Sequence, residues 1–128
     1  MVSEALPATN PLRNIRWLRV LVGAFLAEVV LFAIAIAFYL VPHGSTALLY
    51  IVPPACLGIT MFFGFRVARK AQGRFILHGT LVGCVAALIY IALTWGKVLP
   101  TAYVVSHFLK VMGGFLGGWL AQRRYRRP

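Results

Sequence analysis

Two ionisable residues sit where an apolar chain accommodates them least. Glu28 interrupts "VLVGAFLAEVVLFAIAIAFYL" (residues 20–40), a run otherwise made of apolar residues and one glycine. Lys110 stands in "AYVVSHFLKVMGGFLGGWLAQ" (102–122), one turn after His107. A buried carboxylate has two uses: it can serve as counter-ion to a buried cation, or it can take up a proton or a cationic ligand. Catalysis by paired carboxylates is excluded within one chain, because Glu4 is the only other acid. No nucleophile–histidine–acid grouping and no phosphate-cradling glycine loop is present. The expectation is a protein that is not an enzyme.

The remaining candidate ligands do not assemble into a metal or cofactor site. His43, His78 and His107 fall at different depths, so no two imidazoles face each other as bis-histidine haem requires. Cys56 and Cys84 lack zinc or disulfide spacing and read as small apolar fillers. No metal and no cofactor is expected, and His107 is expected to hydrogen-bond inside the bundle.

The elements that must position Glu28 and Lys110 follow from composition. Apolar residues make up 61% of the chain and the mean hydropathy is +0.85, against roughly 45–50% apolar content in soluble domains. A membrane span needs about 20 mostly apolar residues, and residues 17–41, 47–65, 75–95 and 102–122 meet that requirement. The reading is an all-α, four-span membrane bundle in one domain (13–128), preceded by a disordered tail (1–12). A cleaved signal peptide fits poorly, since the first run exceeds a typical apolar core and has Glu28 at its centre.

The formal charge of +11 is explained by where its cations lie. Arg13, Arg16 and Arg19 precede the first span, Arg66, Arg69, Lys70 and Arg74 separate the second and third, and Arg123, Arg124, Arg126 and Arg127 follow the fourth. Lys97 alone falls in an opposite loop. The bias predicts both termini in the cytoplasm and excludes nucleic acid as the reason for the charge. It also predicts attraction to anionic headgroups. Outer loops "PHGST" and "GKVLPT" are short, which implies tight hairpins, whereas "RVARKAQGR" predicts a longer basic loop.

Helical phasing at about 100° per residue sorts the fourth span into two faces. Tyr103, Ser106, His107, Lys110, Gly113, Gly114, Gly117, Gly118 and Ala121 share one half, with Val105, Phe108, Met112, Phe115 and Trp119 opposite. The small face, with Gly-x-x-x-Gly pairs at 113/117 and 114/118, is expected to face protein. The third span has a matching face of Gly79, Thr80, Gly83, Ala86, Ala87, Tyr90 and Thr94. These faces fit packing within one chain and packing in a homodimer equally well. Pro53 and Pro54 remove the helical partners of the Leu49 and Tyr50 carbonyls, which predicts a kink, a helix restart at Pro53, or a broken helix lining a site.

Glu28 and Lys110 both fall within one or two turns of the midplane of their spans. An isolated charge there costs at least ~2.5–3.5 kcal/mol, and an opposite charge at matching depth offsets much of it. The expectation is a Glu28–Lys110 ion pair joining the first and fourth helices. Weak similarity between "LVGAFLAEV" (21–29) and "LVGCVAALI" (81–89), and between "GFRVARK" (64–70) and "GGWLAQR" (117–123), fits two parallel-repeated hairpins.

The segment "GAFLAEVV" resembles the first helix of the small multidrug resistance transporters, four-span bacterial proteins with an essential glutamate in that helix. That resemblance implies that Glu28 binds a proton or a cationic substrate, in a proton-coupled exporter working as a dimer. Lys110 and the strong charge bias set this chain apart from that family. The stretches "FGFRVARKAQGRFILHGTLVGCVAALIY" and "LKVMGGFLGGWLAQRR" resemble a group of uncharacterised four-span bacterial membrane proteins, which implies architecture and a bacterial inner-membrane location but no activity. The residues favour an interaction, structural or accessory protein, with anionic lipid, another membrane protein or a second copy as partner. The cation transporter is the alternative.

Overall fold

A computed structural model describes residues 14–95, 97 and 101–127; the expected disordered tail lies outside the described residues. Four helices, α1 (Trp17–Tyr39), α2 (Gly44–Lys70), α3 (Phe75–Leu93) and α4 (Thr101–Tyr125), make up the fold, and each is long and apolar enough to cross a membrane. They alternate in direction. One end of the bundle, the terminal end, therefore carries residues 14–16, the α2–α3 turn and residues 126–127. The other, the hairpin end, carries the α1–α2 turn and the approach from α3 to α4.

Two helices, α2 and α4, overrun the apolar stretches that predict them, while α1 and α3 end two residues short of theirs. α2 continues to Lys70 and α4 to Tyr125, because arginine, alanine and lysine are good helix formers and cations suit a helix C-terminus. The basic loop expected from "RVARKAQGR" is thus a four-residue turn (71–74), with Arg66, Arg69 and Lys70 on the helix before it. That turn uses left-handed backbone at Gln72 (φ 55°) and Arg74 (φ 47°). The α1–α2 turn (40–43) passes through left-handed His43, and a Cβ on Gly44 would collide with the Phe38 carbonyl. Glycine is the residue that position admits. α2 runs through Pro53 and Pro54 without interruption, so neither a restart at Pro53 nor an unwound break is present.

In cross-section α1 packs on α2 and α3, α4 packs on α2 and α3, and α2 touches α3. No Cα of α1 comes within 8 Å of one in α4 among the described residues. These two helices occupy opposite corners. The tightest seams belong to α4, whose two glycine pairs face different neighbours. Gly114 and Gly118 lie against α3, where a Cβ on Gly79 would stand 2.6 Å from the Gly118 nitrogen. Gly113 and Gly117 lie against α2, where a Cβ on Gly117 would stand 2.6 Å from the Phe65 nitrogen. Adjacent residues on a helix diverge by about 100°, so the doubled motif serves two interfaces at once.

At the terminal end α1 is tied down by polar contacts. The Arg19 guanidinium donates to the Lys70 carbonyl at 2.7 Å, placing a cation at the negative end of α2. Buried His78 bridges two elements: its Nε2 accepts the Arg16 backbone N–H at 3.3 Å, and its Nδ1 lies 3.0 Å from the Arg74 carbonyl. An imidazole carrying its proton on Nδ1 satisfies both. Ile15, Val20, Ala24, Val67, Val82 and Ala86 form the small apolar core of this half.

Candidate functional site: the mid-bundle ion pair and its crevice

Glu28 is buried because α1 turns its small residues inward: Val20, Gly23, Ala24 and Ala27 share its buried face. Lys110 is buried on the face of α4 that carries Ser106 and the glycines, while Val105, Phe108, Met112, Phe115 and Trp119 point outward. The Lys110 ammonium donates to Glu28 Oε1 at 2.5 Å, and each residue is 2% exposed. Since the α1 and α4 backbones do not approach, this contact crosses the bundle from corner to corner. It is the only salt bridge among the described residues.

Tyr90 of α3 organises the surroundings. Its ring centroid lies 4.8 Å from Lys110 Nζ, within the roughly 6 Å reach of a cation–π attraction. The same ring stacks on Phe32 at 6.0 Å and on Tyr103 at 6.3 Å, and it meets the His107 ring at 4.9 Å. α1, α3 and α4 thus contribute to one aromatic column on the hairpin side of the pair. His107 does not make the hydrogen bonds expected of it. Neither ring nitrogen has a hydrogen-bond partner among the described residues, and its contact is aromatic because Tyr90 occupies the space beside it.

The ion pair forms the floor of a half-open crevice of about 100 Å³. Its walls include Phe32, Cys56, Tyr90, Tyr103, Ser106 and His107, all from the hairpin half of the bundle. Glu28 Oε2 has no donor among the described residues, which leaves one carboxylate oxygen for a further hydrogen bond. Ser106 donates instead to the Ala102 carbonyl of its own helix at 2.8 Å. On the terminal side the glycine seams and the Val20–Val82 core close beneath the pair. The arrangement can hold a small polar or cationic group against a carboxylate and aromatic rings.

Sequence reasoning missed Tyr90 as a site residue and took Cys56 for a filler. The signal Tyr90 carried was its place on the small-residue face of the third span, which helix packing explains equally well. Among the described residues, no three histidine, cysteine or acidic side chains group as metal ligands. No family model, curated protein or solved structure matches this chain.

Proposed function

We propose that this chain is a multi-pass protein of a bacterial cytoplasmic membrane, with both termini in the cytoplasm and a non-catalytic, accessory or interaction role. Large apolar side chains on the outside support the membrane reading: Phe25, Leu88 and Phe108 are each more than half exposed, on a surface water would penalise. Cations concentrated at the terminal end support the orientation. Its partners are anionic lipid at that end, another membrane protein or a second copy. The observation that carries the role is the Glu28–Lys110 contact at 2.5 Å. A carboxylate already occupied by an ammonium acts as a counter-ion that fixes the diagonal of the bundle.

A second reading, the proton-coupled cation transporter, is favoured by the half-open crevice, where Glu28 Oε2 lacks a donor among the described residues and Phe32, Tyr90 and Tyr103 are stacked. The two differ in one assay. Tetraphenylphosphonium is added to weakly buffered, detergent-solubilised protein while proton release is followed. The structural role predicts no release beyond that of Glu28→Gln. Stoichiometric release that disappears in Glu28→Gln would put transport first.

A further inference from the structure

A groove runs between α2 and α4 at the terminal end, about 430 Å³ in volume. Its wall is apolar, built from Met61, Phe62, Phe65 and Leu120, and its mouth carries Arg123, Arg124 and Arg127. We propose that this groove binds one anionic phospholipid, with an acyl chain along the wall and the phosphate at the three arginines. The proposal rests on the membrane reading above.

Three observations converge on that occupant. The first is charge. Glu28 is the only side-chain carboxylate among the described residues and is held by Lys110, so the arginines draw no counter-ion from that set. The second is presentation. The Arg123 guanidinium lies 4.2 Å over the Trp119 ring and that of Arg124 lies 6.0 Å from the Phe65 ring. A cation–π contact uses none of the guanidinium N–H donors, so these remain for phosphate, which arginine binds in a bidentate fork. The third is direction. Leu120 lies about a turn deeper in the bundle than Arg123 and Arg124, so cations and apolar wall follow the order of headgroup and chain in a leaflet. A second groove, between α1 and α2, carries Arg19, Arg66 and Lys70. There Arg19 is committed to the Lys70 carbonyl, which makes that groove the weaker candidate and a charge-matched control.

The test measures lipid binding to the full-length protein in a non-ionic detergent by native mass spectrometry. Phosphatidylglycerol is compared with phosphatidylcholine of the same chains, and with glycerol phosphate as a headgroup without chains. The double variant Arg123→Gln/Arg127→Gln should bind phosphatidylglycerol at least ~10-fold more weakly. Arg66→Gln/Lys70→Gln, with the same loss of charge, should bind like wild type. Equal losses in both variants would replace the site with diffuse attraction. Competition by glycerol phosphate would make it a free-anion site, and no preference over phosphatidylcholine would remove it altogether. The membrane reading fails separately, if wild-type protein is recovered from cells without detergent.

Discussion

Glu28→Gln and Lys110→Met should each lower the unfolding free energy by about 3–5 kcal/mol, and the double variant should recover most of that loss. Each single change leaves one partner at 2% exposure without its counter-charge. An ammonium without its carboxylate keeps only the Tyr90 ring, 4.8 Å away, and cation–π attraction at about 2 kcal/mol when desolvated does not make up the difference. Removing both charges leaves a polar amide and a thioether in place of an ion pair, and such exchanges are often neutral. Thermal unfolding in detergent, taken through the double-mutant cycle, reads the coupling directly. If both single variants match wild type, the pair contributes nothing to folding and the structural role falls.

The second large effect concerns the seams of α4. Gly79→Ala and Gly114→Ala should each destabilise by about 1–3 kcal/mol, the usual range for forcing extra carbon into a packed interface. The new Cβ on Gly114 would stand 2.9 Å from the Gly83 nitrogen, and the one on Gly79 would stand 2.7 Å from the Gly118 Cα. These obstacles are backbone, so no rotamer change relieves them and the helices themselves must separate. Gly58→Ala supplies the control, since a Cβ there meets nothing within 4 Å; its stability should stay at or above that of wild type. The series also separates the two uses a glycine face can have. Glycines that serve only a dimer would leave monomer stability unchanged and shift oligomeric state, whereas the covered glycines found here predict a loss of monomer stability.

The sequence carries the architecture because hydropathy and helical phasing report on it locally. Four apolar stretches of spanning length become four helices. The division of α4 into a small inner face and a large outer one is arithmetic at about 100° per residue. Helix ends are less legible, because hydropathy reports the span and not the helix: Arg66, Arg69 and Lys70 are polar and still helical. Pairwise neighbours are not legible either. The doubled Gly-x-x-x-Gly marks two ridges, but nothing local says that one meets α2 and the other α3. Equal depth makes a Glu28–Lys110 contact geometrically available, yet the diagonal placement of α1 and α4 depends on all four helices together. The place of Tyr90 is likewise a tertiary property. Nothing in "ALIYIAL" distinguishes a tyrosine stacked at the centre of a site from one at an interface.

The central claim is that an ion pair spans the bundle between its unpacked corners. Its most direct test is a carbon–nitrogen dipolar recoupling measurement on protein in bilayers, with carbon-13 at the glutamate carboxyls and nitrogen-15 at the lysine ammonium groups. Glu4 and Glu28, with Lys70, Lys97 and Lys110, are the only labelled groups, so few pairs compete. The structure predicts one strong contact, from an ammonium 2.5 Å from a carboxylate oxygen, and its loss in Lys110→Met. A Lys110–Glu28 separation beyond the roughly 4 Å limit of an ion pair would contradict the account.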